Sequence, residues 1–260
     1  MQILLAASSV PPKVTVITVT YNPGPLLEPT IRAVLDLRYP SLEYIVVDGG
    51  SKDGTHDVLS RYKTRISRII IEPDEGIYDA MNKALRLAIG EYVWFLNAGD
   101  TPGDPDVLTP LVSATPAPDF VFGDTRLVRE DGTVVKTTRA PQQLDWQTMI
   151  HGMRVSHQSF LPRRALADAY DRRYDYIADQ KWIVDILRRA GPGLRLQRPL
   201  SNYLMGGLSH TKFNQCVVEK IRYSFADLSL LKAVPITLRD LYNALRFHAG
   251  ATWRRMRDIT

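Results

Sequence analysis

Cysteine is almost absent: Cys216 is the only one in 260 residues. It can form neither an intramolecular disulfide nor a thiolate metal cluster, so a reducing, cytoplasmic setting is expected. Long apolar runs are missing as well, and none approaches the roughly 20 residues of a membrane-spanning helix. Residues 1–12 read as a flexible segment. Met1–Val10 lacks a basic n-region and is broken by Pro11-Pro12, so it does not read as a signal peptide. HExxH and CxxC are lacking, which excludes the common zinc sites. GxGxxG, the P-loop and the GxSxG elbow are lacking too. Charge of one sign is scarce: 33 Lys and Arg stand against 28 Asp and Glu, a net of +5. With 45% hydrophobic residues, this composition argues against disorder. The imbalance that exists is local. Residues 219–260 hold eight basic and four acidic residues, so four of the five net charges lie in the tail.

What is present from residue 13 onward is alternation. Val14–Val19 is a β-branched run of the kind covered on both faces of a sheet. Leu26, Leu27, Ile31, Val34 and Leu35 then recur at helical spacing. Further strands are expected at Tyr44–Val47, Ile66–Ile71 and Tyr92–Leu96, with helices from Thr55 to about Tyr62 and over Tyr78–Ile89. Strand–helix alternation with short links implies a parallel α/β sheet with right-handed crossovers. Ligands of such sheets bind outside the carboxyl ends of the strands. The polar clusters sit at those ends: Thr20-Tyr21-Asn22, Asp48 and Asn97-Ala98-Gly99-Asp100. Beyond Asp100, Phe120–Phe122 reads as a strand, and Thr125–Val128 and Thr133–Thr137 flank the hairpin signal Asp131-Gly132. Ala178–Arg189 reads as a helix, and helices over Asn214–Leu231 and Thr237–Met256 are separated by Pro235.

Residue chemistry alone leaves alternatives open. A carboxylate at Asp100, after an apolar strand, suits a hard cation such as Mg²⁺ or Mn²⁺; it equally suits a turn aspartate capping a helix near Pro105. Asp48 is placed to accept from a ribose or a base, or to hold its own turn. Asp179 can be a general base or an N-terminal helix acid.

Four ordered segments together say more: TVTYN, VDGGSKDGT, DEGIYDAMNKA and FLNAGD. They resemble the nucleotide-diphospho-sugar glycosyltransferases of the GT-A fold, family 2. The chain is similar to the short bacterial enzymes of colanic-acid or exopolysaccharide and phenolic-glycolipid biosynthesis. The resemblance is specific over about residues 13–101, thinner to about 209 and absent from the tail. It implies a mostly parallel Rossmann-like sheet with a nucleotide-sugar-binding half (13–123), an acceptor-binding half (124–212) and basic amphipathic C-terminal helices (213–260). It implies nucleoside contacts from Thr20, Tyr21, Asn22, Asp48 and Gly49, where Asp48 would accept from a uracil or guanine N–H. Asp79, Asn82 and Lys83 would border the diphosphate. Asn97, Ala98, Gly99 and Asp100 occupy the place of the DxD motif, with Asn97 where the family has its first acid. Asp100 then remains as the protein ligand of Mg²⁺ or Mn²⁺, with His210, after Gly206-Gly207, joining on loop closure. Asp179 would be the base of an inverting transfer, with Asp175 as fallback, and His157 would face donor or acceptor.

The implied reaction moves a hexose from a UDP- or GDP-sugar to a glycan or polyprenyl-diphosphate-linked acceptor. The tail mixes Lys220, Arg222 and Arg239 with Tyr223, Phe225 and Leu241, a pattern suited to an anionic membrane surface at the inner face of the cytoplasmic membrane. Nucleic-acid signatures do not accompany the charge. Two other readings compete. A sugar-nucleotide nucleotidyltransferase would carry a basic Gly-rich loop after the first strand, which Asn22-Pro23-Gly24-Pro25 is not. A non-catalytic nucleotide-sugar-binding subunit would explain the missing acid at Asn97.

Overall fold

The computed structural model describes residues 10–150, 152–206, 212–228, 230 and 233–242. The strands are β1 (Val14–Thr20), β2 (Leu42–Asp48), β3 (Arg68–Ile71), β4 (Tyr92–Phe95), β5 (Thr101–Pro102), β6 (Phe120–Val128), β7 (Val134–Thr138), β8 (Phe160–Pro162) and β9 (Gly193–Leu204). The helices are α1 (Leu27–Leu35), α2 (Thr55–Tyr62), α3 (Ile77–Leu87), α4 (Thr109–Val112), α5 (Trp146–Ile150), α6 (Ala178–Leu187) and α7 (Phe213–Asp227).

β1 is buried along its whole length, as a strand with neighbours on both edges and helices on both faces must be. It pairs in parallel with β2 and β4, and β3 adds in parallel to β2, giving the order β3-β2-β1-β4. Register brings Thr20 opposite Asp48. The backbone continues beyond β4 with Leu96 N–H donating to Ile17 and Ala98 N–H to Val19. Thr20, Asp48 and the 97–100 turn therefore emerge at one edge, because register in a parallel sheet carries the carboxyl ends along together. α1 buries Leu27, Thr30, Ile31 and Val34, one stripe at helical period, into a core with Val14, Val16, Val46 and Trp94. A buried Glu43 on β2 accepts from Thr15 Oγ1 at 2.6 Å and from the Ile89 N–H at 2.9 Å. Those two bonds are what make a carboxylate tolerable between strands.

The second sheet is ordered β5-β9-β6-β7, with β8 on β6. Only β6 and β9 are parallel; the other pairings are antiparallel. The expected hairpin is there as β6–β7, but its first strand already begins at Phe120. An isolated bridge between Tyr92 and Arg163 joins the two sheets.

The chain divides into two compact units, Met1–Arg173 with Ala178–Met205, and Tyr174–Ile177 with Gly206–Thr260. In the second unit, Glu219 on α7 accepts from the Asp175 and Tyr176 N–H groups at 2.8 and 2.9 Å. The Tyr223 ring packs edge-on against Tyr174. The expected break at Pro235 is displaced: α7 ends at Asp227, and residues 233–242 are helical through Pro235.

Candidate active site

The first unit gathers side chains at the carboxyl ends of β1, β2 and β4. The turn after β4 is tied down from several sides. Gly99 takes φ +100° and its N–H donates to Thr30 Oγ1 at 2.9 Å, while Thr30 donates to the Asp100 carbonyl at 2.9 Å. A Cβ at Gly99 would lie 2.7 Å from Leu204 Cδ2, so glycine lets the turn close against the end of β9.

Asp100 is nearly buried. Its Oδ1 accepts from the Leu204 N–H and its Oδ2 from Gln158 Nε2, both at 3.0 Å. Burial raises its carboxyl to about 6, and those hydrogen bonds offset only part of the effect. Among the described residues, no group of three or more His, Cys, Asp or Glu is arranged to hold a metal. A single buried carboxylate with a lone pair left on each oxygen fits one place in a hard cation's shell, because Mg²⁺ and Mn²⁺ are commonly held by one or two carboxylates plus substrate phosphate oxygens. A cation beside Asp100 would also relieve the burial that raises its carboxyl. His210 lies outside the described residues.

Next to Asp100, the short 3₁₀ turn His157–Ser159 is anchored by buried hydroxyls: Thr125 Oγ1 donates to Ser159 Oγ at 2.8 Å, and Ser159 Oγ meets Ser201 Oγ at 2.7 Å. His157 Nδ1 lies 3.1 Å from Asp179 Oδ2, and its Nε2 lies 3.3 Å from Asn97 Nδ2. Asp179 sits in the first turn of α6, where its Oδ1 accepts from the Gln180 N–H at 2.8 Å and from the Tyr78 hydroxyl at 3.3 Å. Tyr78, Tyr170 and Trp182 stack in series beneath it, at centroid distances of 5.4 and 4.7 Å. Three buried oxygens in this region have no partner: Thr20 Oγ1 and Asn97 Oδ1 at the carboxyl ends of the strands, and the Tyr170 hydroxyl in the stack.

Other expected site residues are placed differently. Asp48 is fully buried and turned into its own loop. Its oxygens accept from the Gly50 N–H at 3.2 Å, the Ser51 N–H at 2.9 Å and the Ser51 hydroxyl, and His56 Nε2 is 3.1 Å away. Asp48, expected to offer a carboxylate to a base, here shapes residues 49–51 from below. Asn82 is turned inward in the same way. Its amide is buried, donating to the Tyr170 carbonyl at 3.0 Å and accepting the Tyr170 N–H at 2.7 Å. It pins Tyr170 to α3. Lys83 is engaged by the Pro73 carbonyl at 2.6 Å and Glu72 at 3.0 Å, and Asp79 by Arg172 at 3.2 Å.

The Tyr21 ring is exposed. Asn22 adopts φ +45°, a left-handed conformation that asparagine tolerates, and its Oδ1 accepts from the Lys52 N–H at 2.8 Å. A Cβ at Gly49 would meet Asp74 Oδ2 at 2.4 Å and the Tyr21 ring at 3.3 Å. Only glycine lets the Asp74 carboxylate approach there. Asp74, Gln158 and Tyr78 are the site residues that sequence reasoning missed. Asp74 and Tyr78 lie inside a quoted segment and Gln158 follows His157, but only packing distinguishes Asp74 from Asp48, or Gln158 from its histidine neighbour.

A family model described as Glycosyl transferase family 2 matches residues 15–169. An uncharacterized glycosyltransferase of Mycobacterium tuberculosis is 34% identical over 183 residues, 66% of this chain and 68% of its own. The PGL/p-HBAD biosynthesis glycosyltransferase of Mycobacterium bovis is 27% identical over 264 residues, 95% of this chain and 99% of its own. Among solved structures, the mannosyltransferase PcManGT from Pyrobaculum calidifontis, in complex with GDP-Man and Mn²⁺, has a TM-score of 0.61 at 20% identity, covering 94% of this chain and 81% of that one. S. aureus TarS 1-349 in complex with UDP-GlcNAc has a TM-score of 0.61 at 17% identity, covering 88% and 71%.

Proposed function

Because the chain belongs to glycosyl transferase family 2 and has the GT-A fold, we propose that it is an inverting, metal-dependent hexosyltransferase using a UDP- or GDP-linked sugar. Its acceptor is a glycan or polyprenyl-diphosphate-linked glycan of bacterial surface polysaccharide or glycolipid assembly. The observation that carries this reading is the convergence of two partnerless buried oxygens, Thr20 Oγ1 and Asn97 Oδ1, with the carboxylates Asp100 and Asp179 at one sheet edge. Buried polar atoms without partners are uncommon and mark places where a ligand completes the bonding.

In this account, residues 13–123 hold the nucleotide sugar and 124–212 the acceptor. Thr20, Tyr21, Asn22 and Gly49 border the nucleoside, with the Tyr21 ring as a stacking surface and Asp74 as the carboxylate facing it. Asp79 and Lys83 flank the diphosphate, and Asn97, Ala98 and Gly99 the sugar. Asp100 would hold the divalent cation. When bound, that cation neutralises charge on the leaving diphosphate. Asp179 accepts the proton of the acceptor hydroxyl as it attacks the anomeric carbon from the opposite face. Fold neighbours holding GDP-Man with Mn²⁺ or UDP-GlcNAc support the donor class without favouring one base, and relatives named for PGL/p-HBAD biosynthesis support the surface-assembly reading.

No helix among the described residues is long and apolar enough to cross a membrane. Exposed Val218, Phe225, Leu238 and Leu241 beside Arg222 and Arg239 support docking on an anionic cytoplasmic membrane face.

A thermal-shift screen of UDP, GDP and dTDP tests the donor reading. One diphosphate should raise the melting temperature, and Mn²⁺ should enlarge the rise. At a ligand excess of about 100-fold over Kd the gain is about 2.7 kcal/mol. No response to any diphosphate, with or without Mn²⁺, would count against it.

A further inference from the structure

The contacts of His157 dictate where its protons lie. An ionised Asp179 only accepts, so the 3.1 Å contact with Oδ2 places a proton on His157 Nδ1. A neutral imidazole then presents a lone pair at Nε2, and the group 3.3 Å away is the amide nitrogen of Asn97, a donor. The result is a directed chain: Asn97 Nδ2–H to His157 Nε2, and His157 Nδ1–H to Asp179 Oδ2. It runs from the turn after β4 to the first turn of α6. The side chains of His157 and Asp179 are only 10% and 14% exposed, so water competes weakly for either.

We infer that Asn97, at the place of the family's first motif acid, is a positioning residue. It locks His157 as the neutral Nδ1–H tautomer and so keeps Asp179 paired with a neutral donor. An aspartate of the same shape would turn the donor at Nε2 into an acceptor. An imidazole between two carboxylates must carry both protons, and the resulting cation would make Asp179 a weaker proton acceptor. Asn97 is then a gain for the base, paid for by one acid fewer near the cation. Its Oδ1 is left without a protein partner and remains available to the donor.

The other titratable groups facing this chain are Tyr78, Tyr170, Tyr203 and Asp100. Three are phenols held neutral by burial, so among the described residues Asp100 is the one further charge. The inference rests on Asp179 being the base.

The test is ¹⁵N NMR of histidine-labelled full-length protein in EDTA at pH 8, with the His157 signals assigned by their loss in His157→Asn. Wild type should show a protonated Nδ1 and a bare Nε2; Asn97→Asp should show both nitrogens protonated. In donor hydrolysis, Asn97→Asp should lower kcat by about tenfold or more. His157→Asn, whose amide can stand in for Nδ1–H, should retain much more activity than His157→Ala. Should Asn97→Asp fail to fold by circular dichroism, Asn97→Ala replaces it, and a mixture of both tautomers is expected. A bare Nδ1 in wild type, an unchanged imidazole in the folded Asn97 variant, or faster turnover in Asn97→Asp would overturn the inference. Full turnover in Asp179→Asn would instead remove the base assignment and leave the tautomer result standing.

Discussion

Asp179→Asn should lower kcat by about 10²- to 10⁴-fold, the usual contribution of a positioned general base. Affinity for the nucleoside diphosphate should stay within about twofold, since the side chain faces His157 and Tyr78 rather than the nucleoside contacts of β1. The substitution is a mild one for the fold. An asparagine carbonyl can still accept the Gln180 N–H that Asp179 Oδ1 takes at 2.8 Å, so the first turn of α6 keeps its cap. What is lost is the ability to take a proton from an attacking hydroxyl. Rapid-quench kinetics separate the chemical step from binding; undiminished kcat would withdraw the role given to Asp179.

Asp100→Asn should make the metal-free protein more stable at neutral pH and catalytically poor. Burial raises the Asp100 carboxyl from 3.8 to about 6. The folded state thus binds a proton more tightly than the unfolded state between about pH 4 and 6, and wild-type stability falls as pH rises through that window. About two pH units correspond to a cost of about 3 kcal/mol, fully present above pH 6. Asparagine removes that cost. Its Oδ1 keeps the Leu204 N–H, and its amide can donate to a rotated Gln158 side chain. Urea unfolding in EDTA should show equal stabilities near pH 4 and a gap opening in favour of the variant up to about pH 6. With Mn²⁺ and nucleotide the order should reverse, and turnover should fall at least about hundredfold. A variant less stable than wild type at pH 8 in EDTA, or one with intact Mn²⁺-dependent turnover, would contradict the assignment.

The first sheet was legible where its strands are buried on both faces, as in β1 and β4: VTVITVT and YVWF are dense β-branched or apolar runs that no amphipathic helix would carry. The second sheet was less legible. β6 passes from buried Phe120–Phe122 to half-covered Arg126–Val128, so the sequence reads as two strands, Phe120–Phe122 and Thr125–Val128, where the structure has one. Within the site, sequence spacing brought the right segments together but not the right atoms. Asp48 and Asp74 are both acids in loops at strand ends, and burial alone turns one inward and leaves the other beside Tyr21. Asn82 reads as a polar residue near a helix start. It lies on the face of α3 that meets Tyr170, a partner 88 residues away that no local pattern reveals. The Asn97–His157–Asp179 chain joins three segments, with 60 residues between its first two members and 22 between its last two. Asn97 therefore read as a missing acid rather than as a donor.

The central claim is an inverting, metal-assisted transfer from a nucleotide sugar, and early-time ¹H NMR of donor hydrolysis tests it most directly. Wild-type protein with Mn²⁺ and the α-linked donor selected by the nucleotide screen should release the β-anomer first, before mutarotation, and EDTA should stop the release. Initial release of the α-anomer, or release unaffected by EDTA, would contradict the account.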